Sequence, residues 1–322
     1  MKKENLQSYA LNTLLTVALC AAYRLLGGIL SVLIGLIISA LLGQVMQRKH
    51  FMFGILNSLA ILVIFTLFSG VMTALTTGIP LILLAASLAL GTRLRMPLVR
   101  LLFLCTFLYV MDLMFSLGFA SHATGGDVTL SAMMLETGRQ MKELLLAQYP
   151  GAEMEKMIEQ LVSTVIDLSI KLAPAMFMII STVLSYALIA IYKKLQMRQG
   201  VDMAFLLPFD KLQGERVIAI IYLGLILLLM AAPSGLFFDV LANVCLFLSF
   251  LYFAVGLSCF DWKLKQKGTK KAARRALVAA LICCSGMLFM LPLLTLLVYG
   301  LTDSFFDYRR LSPKEDHTDK PL

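Results

Sequence analysis

Charged side chains are scarce in this chain. Asp, Glu, Lys and Arg make up 15% of its 322 residues, against about 25% in a soluble domain, and that shortage excludes an ordinary soluble enzyme. There are only three histidines, His50, His122 and His317, each in a different polar stretch, which argues against a zinc centre. The six cysteines (Cys20, Cys105, Cys245, Cys259, Cys283 and Cys284) fall in or at the ends of apolar runs, with no pair at metal-ligand spacing. They read as small packing residues and not as a disulfide framework. The chain has no glycine-rich phosphate loop, no nucleophile elbow, no paired His and Glu on one helix and no nucleotide-binding signature. It is therefore expected to be no enzyme and to need no metal or cofactor.

Hydrophobic residues, by contrast, reach 60%, and the mean hydropathy is +0.87. Together these point to an all-α fold, a polytopic transmembrane helix bundle, because a spanning helix needs about 20 mostly apolar residues. Residues 9–46 are apolar with one charge, Arg24, beside Gly27 and Gly28. Two short spans joined by a tight turn at residues 23–28 fit this stretch. Further runs cover 51–69 and 71–91, broken at Gly70, then 101–120, 161–192, 217–232, 237–259 and 276–301. The expectation is nine spans, with eight possible, forming a single transmembrane domain over residues 1–302. A polar tail follows at 303–322. Lys2 and Lys3 before an apolar run resemble a signal peptide, but the run is too long for one and reads as a first span.

Most of the 28 basic residues collect on one side of this layout. With the N-terminus inside, the inner segments hold Arg48 and Lys49, then Arg93, Arg95 and Arg100, then Lys193, Lys194 and Arg198, and finally the run KLKQKGTKKAARR at residues 263–275. This asymmetry is an orientation signal. The formal charge of +9 therefore reads as a contact with the lipid bilayer and its anionic headgroups and not as a nucleic-acid footprint. An odd span count places Arg309, Arg310, Lys314 and Lys320 outside, against the same rule. Two segments are too polar or too short to span. Residues 131–160 read as an outer amphipathic helical hairpin lying on the membrane, with Ser131 as its N-cap and a break at Tyr149, Pro150 and Gly151. Residues 199–216, with apolar residues around Pro208, read as an inner interfacial segment.

Asp112 is the residue this architecture explains least. It lies near the middle of the run at 101–120, where an ionised carboxylate costs about 2.5 to 3.5 kcal/mol on insertion scales. It is either a ligand- or proton-binding group facing a cavity, or a neutral acid hydrogen-bonded to another helix. Arg24 either anchors its turn at headgroup level or turns inward to hold an anion. Asn57 and Asn243 lie inside spans, as polar ligand contacts or as hydrogen bonds between helices. Asp167 and Lys171 sit one turn apart and suit a local ion pair. Asp239 follows the Pro233-Ser234-Gly235 break and suits a helix start. Pro80, Pro174 and Pro292 interrupt helix hydrogen bonding in or beside spans. Ala18 and Ala22 form a small-residue face on the first span, suited to helix packing or to a partner.

The span pattern, the short opening hairpin, the apolar segment around Leu207 and Pro208, and above all the closing GLTDSFFDYRRL at residues 300–311 carry a family likeness. The chain resembles the YybS-like family of uncharacterised bacterial membrane proteins, a domain of unknown function. Asp303, Asp307, Arg309 and Arg310 in that ending could pair with each other or with another loop. The family is in turn distantly similar to the substrate-binding subunits of energy-coupling-factor vitamin transporters, whose first helix presents an Ala-x-x-x-Ala face that Ala18 and Ala22 match. The resemblance implies a multi-pass protein of the bacterial cytoplasmic membrane. It also implies an energising ATPase module as partner. The leading expectation is a small-molecule binding or permeation component. The alternative is a non-transporting scaffold or regulator that docks a cytoplasmic partner.

Overall fold

A computed structural model describes residues 14–16, 18–23, 29–47, 51–123, 129–149, 151–287 and 290–309. All regular structure among the described residues is helical. The chain forms two compact units, residues 1–206 and 207–322.

In the first unit, residues 18–23 are helical. They precede α1 (Ile29–Gln47), α2 (Phe51–Thr73), a π-helical turn (Ala74–Gly78), α3 (Ile79–Arg93) and α4 (Leu98–Ala123). The break expected at Gly70 is present: φ 85° and ψ 164° lie inside α2, a backbone region essentially reserved for glycine. Pro80 falls in the first turn of α3, directly after the π-helical turn. α1 packs against α2, α3 and α6, and α4 against α3 and α6. Leu36, Leu84, Leu88, Leu101, Cys105, Leu188 and Tyr192 fill one core, each no more than 2% exposed. Ile38, Leu42, Ile61 and Phe65 fill a second. These helices are apolar nearly all round, as expected where lipid and not water is the outer solvent. Among the described residues, five helices are long and apolar enough to cross a membrane.

α5 (Leu130–Gln148) and α6 (Ala152–Arg198) make the hairpin. Two expectations are corrected here. The N-cap is Thr129 and not Ser131, since the Thr129 hydroxyl accepts from the Ala132 N–H at 3.1 Å. The hairpin's second arm is also not a separate surface helix. It is the N-terminal part of one 47-residue helix that continues into the apolar run expected as the span. At 1.5 Å per residue α6 is about 70 Å long. Pro174 lies inside it without ending it.

The second unit contains a short 3₁₀ turn (Phe209–Lys211), α7 (Arg216–Ala231), α8 (Leu236–Gln266), α9 (Lys271–Met287) and α10 (Met290–Phe306). The span expected at 276–301 is two helices and not one. Pro292 sits in the first turn of α10, the one place in a helix that tolerates it. α8 and α10 cross in parallel at Gly256 and Gly300. A Cβ on Gly256 would stand 1.9 Å from the Leu296 carbonyl oxygen, and one on Gly300 would stand 2.1 Å from that of Tyr252. Only glycine permits this approach. Because α9 returns before α10, the chain end arrives where the basic loop lies.

Candidate functional site

α4 positions Asp112. Leu101, Cys105, Leu108 and Asp112 follow one another at helical spacing on the face that α4 turns to its neighbours. Leu101 and Cys105 are fully buried, and Leu108 packs partly against the same core. Asp112 continues that face one turn further, and is half-buried. Its Oδ1 is sealed from solvent and has no hydrogen-bond partner among the described residues. Two phenols lie within electrostatic range, Tyr109 on the preceding turn and Tyr23 from the opening helix. Tyr23 is held by a hydrogen bond with Thr77 of the π-helical turn and by an edge-to-face contact with Phe65 at 5.5 Å between centroids.

On the adjacent face of α4, a groove of about 400 Å³ is lined by Met111, Met114, Phe115, Gly118, Phe119 and His122. A Cβ on Gly118 would meet nothing within 4 Å. Asp112 and this groove thus occupy neighbouring faces of one helix, the groove walled by thioether and aromatic side chains. That combination suits a molecule with an apolar body and one positive or hydrogen-donating group.

Asn57 and Asn243 lie on other elements, α2 and α8. Asn57 is 4% exposed and stands one turn before Ile61, on the core side of α2. Asn243 belongs to the second unit, where its Nδ2 donates to the Asp239 carbonyl of its own helix at 2.7 Å. Ala18 is exposed and Ala22 half-buried on the opening helix. Arg24 lies outside the described residues. Tyr109 was within reach of the sequence, three residues before Asp112 on the same helix. Tyr23 was not, since its approach depends on long-range packing.

A second polar centre closes one end of the second unit. The Arg309 guanidinium, buried with Asp303 (both side chains 1% exposed), uses all five N–H donors. Nε and Nη2 donate to Asp303 Oδ2 at 3.1 and 2.7 Å. Nη1 donates to the Asp210 carbonyl at 3.1 Å and to Ser258 Oγ at 2.8 Å, and Nη2 reaches the Leu212 carbonyl at 2.6 Å. Asp210 in turn holds Lys265 at 2.5 Å. The closing motif therefore does pair internally and with another loop, the Pro208 segment. With every guanidinium donor taken by protein, this centre ties elements together, and Asp303 Oδ1 is left buried without a partner among the described residues.

At one end of the first unit, the Tyr192 hydroxyl donates to Gln47 Oε1 at 3.3 Å and lies 3.1 Å from the Thr92 hydroxyl. Arg93 Nη2 donates to the Met46 carbonyl at 2.9 Å. On the hairpin, hydrogen bonds from Arg139 hold the Glu136 carboxyl below the usual carboxylate range. Both groups are exposed, so the pair adds little to stability.

Residues 12–304 match the family described as "Predicted membrane protein (DUF2232)". The chain belongs to that family. The match runs over both units and includes Asp112 and Asp303, and stops five residues short of Arg309. Neither the curated proteins nor the solved structures contain a match.

Proposed function

We propose that this DUF2232 protein is a small-molecule binding or permeation component of a transport system in a bacterial cytoplasmic membrane, with Asp112 as its polar contact. The observation that carries the reading is the buried Oδ1 of Asp112, which no described residue answers. A carboxylate left unpaired in an apolar setting costs more than it returns. A guest donor supplies the missing bond, and the Met- and Phe-lined groove beside it accommodates the rest of the molecule. The apolar groove walls face outward, with Met111, Met114 and Phe115 each 46–60% exposed, so entry from the lipid side is open. Arg24, Asn57 and Asn243 are secondary candidates for ligand contact.

Energy for transport comes from elsewhere in this reading, because the chain carries no nucleotide-binding motif. The exposed Ala18, with Ala22, supplies a docking face for an energising module. The test compares wild-type protein and Asp112→Asn purified in one detergent, with retained small molecules identified by mass spectrometry. The wild type is expected to hold a species that the variant loses at least tenfold. Identical retained molecules in both, or none in either, would sink the proposal.

The basic loop supports a second reading, a scaffold or regulator. Arg274 is held by Asp261 at 3.3 Å, Lys265 by Asp210, and Lys263 by the Tyr299 ring at 4.6 Å, whereas Lys267, Lys270 and Lys271 are exposed. In that case, replacing these three by Gln abolishes co-purification of a soluble partner, and Asp112→Asn does not.

A further inference from the structure

The helices α4 and α6, which pack against each other, carry four polar atoms that no described residue answers. Thr106 Oγ1 and Asp112 Oδ1 on α4, and Ser185 Oγ and Gln196 Nε2 on α6, are sealed from solvent without a hydrogen-bond partner. Ser185 and Gln196 are at most 1% exposed, so these are interior positions. Elsewhere in this unit helical hydroxyls turn back onto their own helix, as those of Ser58, Thr92 and Thr182 do towards the carbonyl four residues earlier. Thr106 and Ser185 have the same option and do not take it. A buried donor or acceptor left unpaired costs the full desolvation of that group, and folded proteins keep few of them.

Between these four atoms run other polar groups of the same interior. Helical spacing puts Ser185, Tyr192 and Gln196 on one side of α6, and Cys105 and Asp112 on one side of α4. Leu101, Cys105, Leu188 and Tyr192 share one core, so these two sides face each other. Cys105 Sγ lies 3.5 Å from Ser87 Oγ of α3, and Tyr109 is within electrostatic range of Cys105, Asp112 and Tyr23. At the far end the Tyr192 hydroxyl joins Thr92 and Gln47, with Gln196 one turn further on and Arg93 in electrostatic range. Ser185 to Gln196 covers about 16 Å of helix axis. Among the described residues, the titratable groups around Asp112 are thus Tyr109, Tyr23 and, one step beyond, Cys105. To the same interior α3 and α6 bring the uncharged hydroxyls of Ser87 and Ser185.

We propose that water molecules bridge these groups into a proton path, through which Asp112 exchanges its proton with the aqueous phase at the Tyr192 end. Water fits the chemistry of the four atoms. A buried water makes about three hydrogen bonds to groups otherwise unpaired, and two hydroxyls, an amide nitrogen and a carboxyl oxygen offer it both donors and acceptors. Hydroxyl, phenol and thiol each donate and accept, so a proton arriving on one lone pair releases another on the far side. Only O–H and S–H bonds change along the way. The proton ends on, or leaves from, a carboxyl oxygen of Asp112, and water at the other end supplies or receives it. An acid within an apolar helix, served by a file of polar groups, is the arrangement of proton relays. The inference shares Asp112 with the proposed function but needs no guest, and either can fail alone.

The test begins with the unaltered full chain in native membranes. Hydroxyl radicals generated in place by X-rays oxidise side chains beside internal water, even where bulk solvent does not reach. Cys105 is expected to be oxidised at least tenfold faster than Cys20, which is equally buried but belongs to the second core. Equally slow oxidation of both would show a dry interior and overturn the path. A second measurement follows the infrared C=O band of the protonated Asp112 carboxyl, assigned as the band that Asp112→Asn lacks, after an alkaline pH jump. Thr106→Val combined with Ser185→Ala is expected to slow the loss of that band at least tenfold, at unchanged membrane abundance. A loss as fast as in the parent chain, or no such band at acid pH, would also overturn the proposal. If the double variant does not accumulate, the comparison of the two cysteines decides. Retained small molecules are read separately, so a missing guest and a dry interior are different results.

Discussion

Arg309 shows what a single guanidinium does when it is buried. An ammonium in its place has three donors on one nitrogen and cannot span two carbonyls, a hydroxyl and a carboxylate. Arg309→Lys is therefore expected to behave as a disruptive change, and Arg309→Met to cost about 3–5 kcal/mol by stranding Asp303, read as a fall in thermal midpoint of the purified protein. Unchanged midpoints would show that the centre is not structural. Asp112 should respond in the opposite sense. Because its Oδ1 satisfies no partner within the described chain, Asp112→Leu is expected to raise the midpoint of ligand-free protein, by about 1–3 kcal/mol in stability. A loss of similar size would mean that the acid holds two helices together. Asp112 was legible in the sequence because an acid in an apolar run violates a composition rule that needs no coordinates. Arg309 was legible only as a residue in a charged motif. Its partners Ser258, Asp210 and Leu212 lie about 50 to 100 positions away, and nothing in local spacing announces them.

Among the elements, the spans whose ends carry a charge, a glycine or a proline were readable, and those that end inside apolar sequence were not. Gly70 marks a true break because its dihedral angles exclude other residues. Gly70→Ala is expected to destabilise the first unit by about 1–3 kcal/mol, a loss that hydrogen exchange along α2 would localise. The division between α9 and α10 passed unseen since the junction near Gly286 and Met287 is as apolar as its surroundings, and Pro292 could equally sit inside a span. The length of α6 was missed for a related reason. Charged residues at 153–159 suggested a helix ending in water, whereas helical hydrogen bonding continues through them. The α8–α10 crossing makes a sharper demand. A side chain at Gly256 or Gly300 collides with backbone and not with a movable side-chain end. Gly256→Leu is expected to separate the two helices and to abolish accumulation in the membrane, while Gly224→Leu, on α7 with open space around its Cα, should be tolerated.

For the molecule as a whole, composition alone settled the class, a membrane protein of apolar helices, and the distribution of Lys and Arg supplies the expected orientation. The tail conflicted with that distribution because one helix had been expected where two are present. With α9 and α10 running in opposite directions, the chain end is expected on the side of the basic loop, in keeping with the charge rule. Single cysteines at Lys267 and at the exposed Tyr308 are accordingly expected to react with an impermeant maleimide from the same side of the membrane. Labelling from opposite sides would refute the topology.

The position of Arg309 in the chain sets an order of assembly. Its acceptors on the Pro208 segment and on α8 emerge from the ribosome long before it does, and must wait in the translocon or in lipid with their carbonyls unmatched. The second unit can only lock after translation has passed residue 309. A nascent chain halted a few codons earlier would present quality-control proteases with a loose bundle, although every hydrophobic segment had already been inserted.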